Sequence, residues 1–196
     1  MLLPQEKDSA LATTNVLLFI VSVVAFQHAR KVNMGSAASF LLQACAAALG
    51  AVCSCSGDLA PLLHRSQREA AWACTVLGPA LFAFAFHWTN RDRLAANSVL
   101  TGALLAAACS DPLAGGGWCP AVRAAVAAAL LSVLTVSLFT VNGWGVAGSL
   151  LGLLAGELPP AGPLVLRSPC GQNLLLVAST VALQRALGAQ DSAELV

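Results

Sequence analysis

No aspartate, glutamate, lysine or arginine occurs between Ala124 and Gly156. A charge at the centre of a bilayer costs about 2.5–3.5 kcal/mol on insertion scales, so long charge-free apolar runs mark chains built for lipid. As one straight helix this run would reach about 50 Å, well past a hydrocarbon core of about 30 Å. It must break, and Asn142-Gly143 is the best turn-forming pair within it. The run therefore predicts a span over 121–141 and a short element over 144–158.

The same test along the rest of the chain gives charge-poor stretches at 9–29, 34–55, 70–90, 94–110 and 171–187. Trp72 and Trp88 bracket the third, about 24 Å apart along a helix, a separation that suits rings at two membrane interfaces. Asp111-Pro112, Gly115-Gly116-Gly117 and Pro159-Pro160-Ala161-Gly162-Pro163 interrupt the pattern as loops. Only 10% of the residues are charged and 58% are hydrophobic, against roughly 25% charged in soluble domains. The prediction is an all-α polytopic transmembrane bundle filling 1–196 as one domain. It has about seven short spans, or six if 144–158 fails to cross, and its first partner is the lipid bilayer. A net charge of +1 without a basic stripe argues against a nucleic-acid partner.

The stretch before the first apolar run, Gln5-Glu6-Lys7-Asp8-Ser9, lacks the positive start of a cleavable signal, and no small-x-small site follows Val24-Ala25-Phe26. The first run reads as a retained helix. With seven crossings the basic residues divide evenly between the two sides. Arg30-Lys31 after the first helix then favours an outside N-terminus and a cytosolic C-terminus. Short spans favour the thinner ER and Golgi membranes over the plasma membrane.

Cys53, Cys55, Cys109, Cys119 and Cys170 all fall near ends that this orientation places outside, where disulfides persist. Palmitoylation of a cytosolic face is the alternative for the same five. Cys45 and Cys74 lie within spans and read as small apolar residues.

Intramembrane enzymes and ion-coupled transporters need ionisable groups in the bundle. The predicted spans place theirs near the ends, so no catalytic, metal or cofactor-binding residue is assigned. His28 and His87 fall at one face and His64 at the other, too few for a zinc site. Cys53-Ser54-Cys55 alone is a weak soft-metal signal. Ala147-Gly148-Ser149-Leu150-Leu151-Gly152 fails the hydrolase spacing. The amides Asn15, Gln43, Asn97, Asn142, Asn173 and Gln184 suit hydrogen bonds between helices better than a solute path. The most specific motif is Gly148, Gly152 and Gly156, a double Gly-x-x-x-Gly that puts three glycines on one helix face for close packing, within the chain or with a second copy. Glu194-Leu195-Val196 is a weak match to a carboxy-terminal peptide that adds to a sheet edge. The expected function is that of a non-enzymatic accessory or assembly factor for another membrane protein. The alternative is a small transporter or channel for a neutral solute.

Overall fold

The computed structural model describes residues 4–55, 60–110, 120–157 and 168–193. Among the described residues there are seven helices and no strand. They are α1 (Pro4–Val32), α2 (Met34–Cys55), α3 (Ala60–Thr89), α4 (Arg93–Ala108), α5 (Pro120–Phe139), α6 (Gly143–Glu157) and α7 (Pro169–Ala193). The all-α membrane bundle expected from the charge pattern is what the chain forms. Cys119, the loops around 111–117 and 159–163, and the terminal Glu194-Leu195-Val196 lie outside the described residues.

Each helix packs on its neighbours in sequence, and α7 returns to α1, so the seven form a closed ring; α3 also touches α5 across it. Cross-helix contacts give the directions. Ser39 on α2 bonds the Gly78 carbonyl of α3, and Ser179 on α7 bonds the Gly148 carbonyl of α6. Both pairs run antiparallel, as do α1 and α2 where Asn15 lies against Gly50. In contrast, Asn173 near the start of α7 bonds Thr14 and Asn15 in the first half of α1, so these two run parallel. Alternation follows round the whole ring. One end, here the turn end, gathers the α1–α2, α3–α4 and α5–α6 turns and the end of α7. The far end gathers the starts of α1, α3, α5 and α7 and the ends of α2, α4 and α6.

Small residues let the helices approach. Ala25, Ala29, Ala37, Ala83, Ala129 and Ala186 are almost wholly buried around Phe40, Phe82, Phe86, Val133 and Leu187. Lipid is as apolar as these side chains, so close van der Waals packing rather than escape from water holds such helices together. Phe40 meets Phe82 edge-on at 5.8 Å, and Phe82 stacks on Phe86 at 6.0 Å, contacts worth about 0.5–1.5 kcal/mol each beyond their burial. Pro79 interrupts the hydrogen bonding of α3 by lacking an N–H. Beside it the Ser39 hydroxyl donates to the Gly78 carbonyl at 2.7 Å, tying α2 to that point. Outward, α1 presents Val16, Leu17, Ile20 and Val24, each at least 40% exposed. That is the face of a helix in lipid.

By length and composition α1, α2, α3 and α5 suffice to cross a membrane, whereas α4 and α6, at 16 and 15 residues, are shorter. α7 has the length but carries Gln172, Asn173, Gln184 and Arg185; its inner face is sheltered among α1, α2 and α6. Helix limits also outrun the charge-free stretches. α3 begins at Ala60 rather than near 70, and an Arg65–Glu69 ion pair of 2.9 Å sits on its first turns. Charges mark where a helix leaves lipid and say nothing about where it stops being helical.

Candidate functional site

The amides inside the bundle find partners. Asn15, 9% exposed, accepts from the Asn173 amide at 3.0 Å, and that amide lies 3.2 Å from the Thr14 hydroxyl. Deeper in, the Thr180 hydroxyl sits 2.7 Å from the Leu176 carbonyl and 3.1 Å from the Gln43 side chain. The hydroxyl has one hydrogen, which it can donate to the Leu176 carbonyl or to the Gln43 Oε1. These links join α1, α2 and α7. Gly50 makes room for Asn15, since a Cβ there would lie 3.1 Å from its amide. Gln184 is half-buried, and Asn97 stands on the exposed face of α4.

α6 wedges between α5 and α7 on glycine. A Cβ on Gly148 would lie 2.7 Å from two Leu183 side-chain atoms and 3.0 Å from the Leu183 backbone nitrogen. One on Gly152 would meet Leu130 and Ser179 at 3.3 Å. Gly156 faces open space, while Gly145, outside the predicted triplet, would collide with the Ser137 hydroxyl. The close face is therefore Gly145–Gly148–Gly152, with spacings of three and four, and its neighbours belong to the same chain. A repeat of four does not reach Gly145, whereas a helix face also takes residues three apart.

Two turns at the turn end share one construction. After α3, the Arg91 N–H donates to the Trp88 carbonyl at 3.0 Å and the Asp92 N–H to the His87 carbonyl at 3.0 Å. After α5, the Val141 N–H donates to Leu138 at 3.3 Å and the Asn142 N–H to Ser137 at 2.8 Å. Both are Schellman caps, whose left-handed residue is usually glycine; here it is Arg91 (φ 62°) and Val141 (φ 54°). The next residue then starts the following helix. Asp92 accepts from the Ala95 N–H at 3.0 Å, and Asn142 accepts from the Gly145 N–H at 3.1 Å while donating to the Ala186 carbonyl at 3.0 Å. The break in the long apolar run thus falls at 140–142, one step before the predicted Asn142-Gly143, and Gly143 opens α6. Asn33 does the same work alone between α1 and α2, accepting from the Gly35 N–H at 2.8 Å.

Arg30, Lys31, Arg91, Arg93 and Arg185 all stand at this end. Arg93 lies over Trp88 at 5.3 Å, and Arg185 over Trp144 at 4.7 Å, two cation–π contacts of interfacial type. An open cleft of about 570 Å³ is lined by Val32, Asn33, Trp88, Thr89, Arg91 and Arg93. A second, of about 340 Å³, lies between the two Schellman turns and α7, bordered by Asn90, Asn142 and Gln190. Neither buried Gln190 side-chain atom has a partner among the described residues. His87 is 3% exposed, with its Nδ1 4.0 Å from Asp92 and neither ring nitrogen hydrogen-bonded. Sequence reasoning placed His87 at the interface and missed its burial.

His28 is exposed and bonds the Val24 carbonyl at 3.0 Å; His64 is exposed at the far end. Cys53, Cys55, Cys109 and Cys170 do share the far end, each as a free thiol. Among the described residues no three His, Cys, Asp or Glu side chains gather as a metal site.

No family model and no solved structure matches the chain. Transmembrane protein 276 of Rattus norvegicus is 36% identical over 149 residues, 75% of this chain and 73% of that protein. Its counterparts from Homo sapiens and Bos taurus are each 35% identical, over 149 and 147 residues, with the same coverage. With identity at that level over most of both lengths, the chain belongs to the transmembrane protein 276 family of membrane proteins.

Proposed function

We propose that the chain is a non-catalytic multi-pass component that accompanies another membrane protein, with the outer face of α4 meeting a transmembrane helix of that partner. The observation that carries this reading is the chemistry of that face. Asn97, Ser98, Thr101 and Gly102 are exposed on it, and a Cβ on Gly102 would meet nothing within 4 Å. The polar side chains make no hydrogen bond among the described residues, unlike Asn15, Asn173 and Gln43 inside the bundle. An amide or hydroxyl turned to hydrocarbon is costly, and small polar residues at four-residue spacing are what helix–helix contacts in membranes use. Bonding of the interior amides to one another counts against a neutral-solute path through the ring. The short α4 and α6 suit the thinner ER or Golgi membranes.

Purification in mild detergent tests the reading. A stoichiometric membrane partner is expected with the parent chain and lost with Asn97→Leu/Thr101→Leu, while the variant's own melting is unchanged or raised. Solute flux through the purified chain alone would favour the transporter instead. A second copy in place of a different protein would make α4 a homodimer face.

A further inference from the structure

We propose that the cleft between the α1–α2 corner and the α3–α4 turn holds the phosphate group of an anionic amphiphile, with Arg91 and Arg93 as its ligands. The cleft, about 570 Å³, falls in the roughly 300–1,000 Å³ range of small-molecule sites. Arg91 and Arg93 line it, and neither has a carboxylate within ion-pair distance among the described residues. The acid between them, Asp92, does not line the cleft; one oxygen caps Ala95 and the other lies toward His87. Arg30 and Lys31 end α1 immediately before Val32, adding positive charge beside the opening. Val32 and Thr89, the last residues of α1 and α3, line the cleft beside the starts of α2 and α4, so the helix dipoles offset there and the attraction for an anion rests on the arginines.

The backbone supplies an independent observation. Arg91 occupies the left-handed position of a Schellman cap, where glycine fits without strain. From that position Arg91 lines the cleft. The guanidinium fork matches two phosphate oxygens. Trp88, 43% exposed beneath Arg93, gives the cleft a wall suited to headgroup depth. Phosphate is the shared chemistry; a lipid headgroup or a soluble phosphate compound could supply it.

The test is the melting midpoint of the full chain in neutral detergent, titrated with phosphatidylglycerol, phosphatidylcholine or inorganic phosphate. Phosphatidylglycerol is expected to raise the midpoint saturably and phosphatidylcholine not to. Arg91→Gly should melt at or above the parent without lipid, because glycine relieves the left-handed backbone, yet bind phosphatidylglycerol about tenfold or more weakly. Arg93→Gln should weaken it similarly. Arg65→Gln, at the far end, should respond like the parent. An equal rise with inorganic phosphate alone supports the phosphate site and assigns it to a soluble compound. No rise with phosphatidylglycerol or inorganic phosphate, an equal rise with zwitterionic phosphatidylcholine, or full responses in both Arg91→Gly and Arg93→Gln would overturn the proposal.

Discussion

The two ends of the ring are built differently. At the turn end three connections of one to three residues close the helices, each capped by an asparagine or aspartate. There no cation has a carboxylate partner among the described residues, and two lie over tryptophan rings. At the far end α3 carries its Arg65–Glu69 pair, and four free thiols gather. The same contrast runs along α6. Gly145 and Gly148, toward the turn end, are pressed against α5 and α7, Gly152 is looser, and Gly156 is open. On α6 the packing is tightest beside its turn with α5. In a membrane, where burial from water gives no drive, short turns and glycine contacts set the spacing together.

The largest expected effect breaks this gradient at its tight end. Gly148→Ile drives a side chain into Leu183 and its backbone and should cost about 3 kcal/mol or more, seen as lost folded yield in detergent. Gly152→Ile should cost less, and Gly156→Ile should leave yield and melting near those of the parent. Equal losses at all three would mean that α6 packs uniformly. The next effect compares caps. Asn142→Ala removes a buried cap and the bond to Ala186, costing about 2–3 kcal/mol. Asp92→Ala removes a cap whose side chain is 51% exposed and should cost about 1 kcal/mol. Thermal melting of the two variants decides the order.

Much of this arrangement could be read from residues alone. Charge-free stretches gave the helices, because ionisable groups cannot lie in lipid cheaply. They also located the break in the 124–156 run to within a few residues. The turn construction was hidden, since Arg91 and Val141 occupy positions where glycine is the usual sign. Pairing of Asn15 with Asn173, far apart in sequence, required the ring to close. The cleft was hidden for the same reason, being assembled from two separate corners.

A smaller effect sharpens the comparison from the other direction. Val141 is β-branched, left-handed and 89% exposed, so Val141→Gly should raise stability by about 1 kcal/mol. A fall in melting temperature would show that Val141 is held by contacts beyond its own turn.

The most direct measurement is protease protection of the chain in sealed membranes, with one tag at each terminus. Seven alternating helices require the tags on opposite sides, and Arg30-Lys31 after the first helix place the carboxy-terminal tag in the cytosol. Digestion of the carboxy-terminal tag alone from the cytosolic side is the expected result. Both tags digested, or both protected, would mean that one of the short helices α4 or α6 does not cross, and the division into two ends would fail.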